Sequence, residues 1–266
     1  WDGDGTELLR CRAASPRQTY EARLALRIGS LPDGRNRQID RGSGYGELMN
    51  TWVLDTRQYR SDQAYADKDV AQGPDAWSSE RTIMGAEQEQ WLFDGLARSD
   101  TRWNLLAHQV MMMNLGYRKS ESSDLIYSMD QWSGYLHSRS RLLHFIEQHC
   151  PGNVVNVTGD AHRHFAGDLV HDPAHPKPVS VEFLATSITS GADGAGDDDA
   201  FSRSMRRENP HLKITTDQRG YVLCDVGRDV WLADIKVLDR VMVPDGRLSS
   251  YARFAVERGK PGLQTA

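Results

Sequence analysis

The sequence predicts an α/β layered (α+β) fold, in which short strands alternate with helices at first and strands dominate after residue 179. Two observations lead to this prediction. Short β-branched or aromatic runs that end in polar or turn residues are typical of buried strands. Longer segments with apolar residues at helical spacing lie between them. The chain shows no internal repeat and no interdomain linker, so we expect a single domain over residues 1–266.

The individual elements follow from local patterns. Helices are expected at 16–27, 87–97 and 138–149, and the last of these ends before Pro151-Gly152. Strands are expected at Thr51–Leu54, Trp103–Ala107, Val154–Val157, Val179–Leu184, Tyr221–Val226, Val230–Val237 and Tyr251–Glu257. Residues 29–46 are expected to form a loop or an edge hairpin, and residues 58–80 and 191–199 are expected to be loops.

Composition excludes several classes of protein. The chain has 32 Lys and Arg against 37 Asp and Glu, a formal charge of -5, which argues against a basic nucleic-acid-binding surface. No apolar run is long enough to cross a bilayer. The three cysteines are too few and too widely spaced for a zinc ribbon or a dense disulfide framework.

The candidate functional residues lie just beyond the ends of predicted strands. The strand at Val154–Val157 runs into Thr-Gly-Asp-Ala-His, which places Asp160 and His162 two residues apart beyond its carboxyl end. A carboxylate and an imidazole together suit a hard or borderline metal ion, although an arbitrary pair of this kind is more often a loop aspartate and an exposed histidine. His108 also follows directly on a strand, and by itself it is more typical of a structural histidine.

Arg57 follows a third strand, and two interpretations of it stay open. Its guanidinium could bind a phosphate oxygen, or it could pair with Asp55 or with a glutamate and fix the loop. The aspartates of segment 191–199 lack the calcium-loop pattern that ends in Glu, so a solvated loop is favoured there. Residues 111–113, three methionines, are expected to lie in the core.

Several strings of the sequence resemble consecutive motifs of the PhoD-type alkaline phosphatases, in the order of that family. They are LDTRQYRSDQ (54–63), RTIMGAEQEQWL (81–92), WNLLAHQVMM (103–112), MDQWSGY (129–135), NVVNVTGDAH (153–162), EFLATSITSGADG (182–194), NPHLK (209–213) and RGY (219–221). The resemblance implies a metallophosphoesterase-like two-sheet β-sandwich flanked by helices. It further implies hydrolysis of small-molecule phosphate mono- and diesters by a metal-activated water, Fe3+ and Ca2+ as cofactors, and export to the periplasm or the extracellular space.

The family motifs also assign roles to residues. Gly159-Asp160-Ala161-His162 matches the family's GDxH motif and implies that Asp160 and His162 are metal ligands. His108 lies where related metallophosphoesterases place a histidine ligand after a strand, although PhoD-type members often have Asn or Gln there. Arg57 matches the arginine of the first motif and is our candidate catalytic residue. Ser133 stands where the family has an acidic residue, while Asp130 is retained.

The family's early metal motifs, including an Asp after the first core strand and a WDDHE string, are not found in this sequence. We therefore expect an N-terminally incomplete domain that lacks the opening strands. Two alternatives to an active enzyme stay open. One is a catalytically inactive fragment or remnant of the same family, and the other is a non-enzymatic binding module that uses loops 58–80 and 191–199.

Overall fold

A computed structural model describes residues 41–266. The helix expected at 16–27 and most of the segment 29–46 lie outside the described residues. Three α-helices are present in this range: α1 (Ala86–Arg98), α2 (Leu136–His149) and α3 (Ala200–Glu208). Eleven strands accompany them: β1 (Arg41–Tyr45), β2 (Met49–Val53), β3 (Trp103–Ala107), β4 (Val154–Thr158), β5 (His164–Val170), β6 (Pro178–Leu184), β7 (Leu212–Thr216), β8 (Gly220–Val226), β9 (Val230–Leu238), β10 (Leu248–Glu257) and β11 (Gln264–Thr265). Short 3-10 turns lie at Ala64–Asp67 and Trp132–Gly134.

The strands form two sheets. The first has the order β1-β2-β3-β4-β6-β5-β7, and the second has the order β11-β10-β9-β8. Strands β2, β3, β4 and β6 pair in parallel, whereas β5 pairs antiparallel with both β6 and β7. Because β2, β3 and β4 are parallel neighbours, their carboxyl ends lie at one edge of the first sheet.

The two sheets pack face to face through one apolar cluster. Phe183 and Trp103 of the first sheet meet Trp231, Ile235 and Phe254 of the second. The rings of Trp103 and Trp231 lie edge to face with centroids 5.9 Å apart. Each large side chain buried here contributes about 1.5–3 kcal/mol through removal of apolar surface from water. Strands β8 and β9 alternate buried and exposed residues, because only one face of the second sheet is covered.

The other face of the first sheet is covered by the helices. Leu92 and Leu96 of α1 and Leu142 and Ile146 of α2 belong to a second apolar cluster, which also contains the methionines at 111–113. The core position expected for those methionines is therefore confirmed. The molecule between Gly42 and Ala266 thus has helices, a mixed sheet and an antiparallel sheet in three layers. The layered α/β architecture and the two face-to-face sheets expected from the sequence are confirmed.

Four elements were not expected from the sequence. Strand β5 is buried at all seven positions but contains a histidine, a glycine and an aspartate, so its composition does not look like a buried strand. Helix α3 is rich in charged residues and begins directly after the acidic loop, where Asp199 caps it by accepting a hydrogen bond from Ser202 N at 2.9 Å. Strands β7 and β11 were likewise missed, whereas β1 lies in the segment 29–46, for which a loop or an edge hairpin was expected. No helix within residues 41–266 is long and apolar enough to cross a membrane.

Candidate active site

The carboxyl ends of β2, β3 and β4 deliver the predicted site residues to one edge of the first sheet. Val53 of β2 lies opposite Ala107 of β3, and Ala107 lies opposite Val157 of β4. Arg57, His108 and Asp160 therefore follow neighbouring strand ends.

Arg57 joins two carboxylates that are far from it in sequence. Its Nη1 donates to Asp130 Oδ2 at 2.8 Å, and its Nη2 donates to Asp160 Oδ2 at 2.9 Å. Burial alone would lower the pKa of Arg57, but Asp130 and Asp160 outweigh burial and raise it. A guanidinium presents its donors in a fixed fork, so this bridge sets the direction in which Arg57 faces.

Asp130 anchors the other side of this bridge. Its Oδ1 lies 2.8 Å from Arg60 Nη2 and accepts a hydrogen bond from Gln63 Nε2 at 2.9 Å. Burial raises the pKa of Asp130, but the hydrogen bonds from Gln63 and Arg57 and the charges of Arg57 and Arg60 lower it below its usual value. Asp130 is therefore a charged anchor for Arg57. No role was predicted for Asp130 from the sequence, where its only signal was the retained acid in the MDQWSGY string.

The turn after β2 explains why Arg57 reaches out of the sheet. Asp55 is buried, and its Oδ1 accepts hydrogen bonds from the backbone N–H groups of Arg57 at 2.8 Å and Gln58 at 2.9 Å. Gln88 of α1 donates to Asp55 O at 2.9 Å and holds the turn against the helix. Of the two open interpretations, carboxylate pairing is observed, but the partners of the Arg57 side chain are Asp130 and Asp160, while Asp55 binds its backbone.

Asp160 and His162 lie in a tight turn between β4 and β5. Their φ angles are 76° and 53°, which place two residues other than glycine in the left-handed region. Such strain costs about 1–3 kcal/mol per residue and clusters at functional sites. Both side chains are exposed at the sheet edge, and His162 Nδ1 lies 3.5 Å from Ser190 Oγ in the loop after β6.

His108 is placed differently. Its side chain is buried, Nδ1 lies 2.9 Å from Val110 O, and the ring packs edge to face on Trp132. Burial lowers the pKa of His108 to about 4, which outweighs the opposing contacts with Val110 and Asn156. The imidazole is therefore neutral near pH 7. With its proton on Nδ1 facing the carbonyl, Nε2 carries a lone pair, and that atom is buried without a hydrogen-bond partner in the structure described.

These positions allow a test of whether the residues fit a metal ion. The donor chemistry fits: Asp160 offers carboxylate oxygens and His162 an imidazole, while His108 offers an oriented neutral imidazole. The set is incomplete, because residues 41–266 contain no group of three or more His, Cys, Asp or Glu side chains positioned to hold one ion. The structure brings Arg57 and Asp160 together, and no hydrogen bond in this range joins His108 or His162 to either of them.

Two further features of the sequence are Ser133 and the acidic loop at 191–199. Ser133, which stands where the family has an acid, is 1% exposed, and its Oγ has no hydrogen-bond partner within the part of the chain described. The acidic loop 191–199 is exposed at several positions, as expected, and it is also bound to the rest of the fold. Asp193 Oδ1 accepts from the backbone N–H groups of Val241 at 2.6 Å and Met242 at 2.9 Å, so this carboxylate supports a loop contact.

Comparisons with known proteins agree with the resemblance. The family model described as PhoD-like phosphatase matches residues 4–235. Alkaline phosphatase D of Bacillus subtilis (strain 168) is 40% identical over 264 residues, which are 98% of this chain and 45% of that protein. A solved structure of PhoD matches with a TM-score of 0.86 and 39% identity, covering 100% of this chain and 51% of that one. The chain therefore spans about half the length of these relatives.

Proposed function

This chain belongs to the PhoD-like phosphatase family, and on that premise we propose that it takes part in the hydrolysis of phosphate mono- and diesters by a metal-activated water. The observation that supports this proposal most directly is the cluster of Arg57, Asp130 and Asp160 at the carboxyl ends of parallel strands. Substrates of this class carry negative charge on the phosphoryl oxygens, and a positioned guanidinium is suited to bind them.

We propose Fe3+ and Ca2+ as the cofactors, by family membership, with Asp160 and His162 as ligands and His108 as a third candidate. Bound metal ions lower the pKa of a coordinated water and neutralise charge on the phosphoryl group. This chain's own residues would take the following roles. Asp160 and His162 would hold the ion at the end of β4, and the turn that gives both residues a positive φ would fix the direction of their side chains.

Arg57 is proposed to bind and orient the phosphoryl group. Its guanidinium already faces Asp160, so a phosphoryl oxygen near that carboxylate would lie within reach of the same donors. Asp130 acts as a positioning residue, since it holds Nη1 while Nη2 remains available for exchange between Asp160 and the substrate. Charge on the phosphoryl oxygens that grows during the reaction would be stabilised by this fixed cation.

We also propose that the protein is exported, as the family resemblance implies. The partner is proposed to be a small phosphate ester rather than a nucleic acid, because the chain carries a net charge of -5.

The deciding experiment is the metal content per chain, measured by mass spectrometry on purified protein beside Asp160→Ala. The exposed acid of the Arg102–Asp229 ion pair supplies the control Asp229→Ala. We expect bound metal in the native chain and in the control, and its loss in Asp160→Ala. Hydrolysis of p-nitrophenyl phosphate and bis-p-nitrophenyl phosphate should likewise be retained in the native chain and the control and be lost in Asp160→Ala.

Native protein without metal and without hydrolysis would overturn the proposal for this chain. That outcome would favour the alternative of a family member that keeps the fold and is inactive by itself. Metal content that is unchanged in Asp160→Ala would refute the ligand assignment at β4.

A further inference from the structure

A second cleft lies apart from the strand-end site. It has a volume of about 780 Å³ and lies between helix α2 and the segments that follow β5 and precede β7. Arg57, Asp130, Asp160 and His162 do not line it. The family assignment gives this cleft no role.

Part of the lining of the cleft is apolar and aromatic. Trp77 lines it with 55% of its surface exposed, and Leu125, Tyr127 and Leu136 lie along the same cleft. An exposed tryptophan beside a concave apolar wall is typical of a site for a small molecule, in which a few polar groups fix the orientation.

The unusual polar group in this cleft is Arg139 of α2. Its side chain is 3% exposed, its Nε donates to Met112 O at 2.7 Å, and its Nη2 donates to Val170 O at 3.0 Å. Nη1 has no acceptor within residues 41–266, and no carboxylate in this range forms an ion pair with Arg139. The carboxylate whose charge raises the pKa of Arg139 is that of buried Glu182, and its two oxygens are already bound by the N–H groups of Met112 and Met113.

A buried cation without a directly bound anion is costly, so a free donor on such a group marks a place for an anionic partner. The acids that line the cleft do not supply it. Glu208 is paired with Arg207 at 2.8 Å and with Arg118 at 3.2 Å, and Asp172 is paired with His175 at 2.8 Å. Arg139 is therefore the charged group of the cleft that lacks an opposite charge in direct contact within the described range.

We propose that this cleft binds a small organic carboxylate that carries an aromatic or otherwise apolar body. The carboxylate accepts a hydrogen bond from Arg139 Nη1, and the apolar body packs against Trp77 and Tyr127. This site is independent of phosphate-ester hydrolysis, because it shares none of the residues that we assign to that reaction.

The test compares two probes of nearly the same shape, phenylacetate and its neutral amide, phenylacetamide, in NMR titrations of the whole chain. A hydrogen bond to a charged group corresponds to at least about a tenfold change in Kd. We therefore expect phenylacetate to bind at least about tenfold more tightly than phenylacetamide. Equal affinity of the two probes, or no binding of phenylacetate at millimolar concentration, would overturn the proposal.

Two variants that each introduce one negative charge then locate the site without replacing the buried arginine. Ser140 lies one residue after Arg139 and lines the cleft, so Ser140→Asp places a repelling carboxylate there. The control Gln148→Asp adds the same charge to an exposed position of α2 that does not line the cleft. We expect phenylacetate affinity to fall at least about tenfold in Ser140→Asp and to stay unchanged in Gln148→Asp. Wild-type affinity in Ser140→Asp, or an equal loss in both variants, would refute this location.

Discussion

His211 is a site where acid should destabilise the fold, and the effect can be worked out from its environment. The ring is 1% exposed, and neither of its nitrogens has a hydrogen-bond partner within the described structure. Burial, together with the smaller effects of the charges of Arg139 and Lys213, lowers the pKa of His211 to about 4. The folded protein therefore holds this imidazole neutral at a pH where an unfolded chain would protonate it.

The magnitude follows from the two pKa values. The ordinary pKa is 6.5 and the folded value is about 4. Each whole pKa step corresponds to about 1.4 kcal/mol, so His211 costs the folded state about 3 kcal/mol once the pH has fallen to about 4. The unfolded state binds more protons between these two values, so this stability is fully present above pH 6.5 and is lost as the pH falls from 6.5 towards 4. Between pH 7.5 and pH 5 the loss amounts to about 2 kcal/mol for this one residue.

Urea unfolding at pH 7.5 and pH 5.0 measures this effect. We expect the wild type to lose about 2 kcal/mol more of its free energy of unfolding than His211→Leu does over the same pH interval. The comparison is between pH-induced changes, so any packing effect of the leucine that does not depend on pH cancels. The control His175→Leu removes an exposed histidine, whose side chain is 87% accessible, and should behave as the wild type does.

Equal pH-induced losses in the wild type and His211→Leu would refute the reasoning. They would mean that His211 gains a proton without cost in the folded state. Other buried histidines, including His164, whose pKa burial also lowers to about 4, contribute to the acid sensitivity of all three proteins and do not affect this comparison.

Three further outcomes follow from particular contacts. Arg57→Lys should reduce kcat/KM for the hydrolysis of p-nitrophenyl phosphate at least about tenfold, because one ammonium group cannot reproduce the guanidinium fork that binds Asp130. Activity equal to that of the wild type would contradict the proposed role of Arg57 in binding the phosphoryl group. Asp199→Ala should lower the free energy of unfolding in urea by at least about 1 kcal/mol, because it removes both the α3 cap and the ion pair with Arg163. An unchanged value would show that the two contacts together contribute nothing. Gly134→Ala should lower the free energy of unfolding by about 1–3 kcal/mol, because the added Cβ would lie 2.3 Å from Met129 O and the backbone must move. A thermal midpoint equal to that of the wild type would contradict this prediction.

Periodicity located many elements of this fold because each has a local signal. Trp103–Ala107 was expected with the bounds that the structure has, since an apolar run flanked by polar residues is sufficient to identify a strand. The prediction failed for β5, because a strand buried on both faces inside a mixed sheet can include Asp168, whose charge is balanced by Lys213 at 2.8 Å. That balance comes from a neighbouring strand, and no local pattern contains it. Helix α3 was missed because its apolar stripe is narrow and its charges dominate.

The sequence by itself determined the family, the layered α/β fold and the strand ends that carry Arg57, His108 and Asp160, because each of these depends on residues close together in the chain. The tertiary structure decided which of these side chains are in contact with one another. Arg57 binds Asp160 across 103 positions and Asp130 across 73, whereas His108 is buried against Trp132. Such pairings depend on strand order and on the path of loops between strands, and the free energy of a long-range ion pair has no signature in local composition.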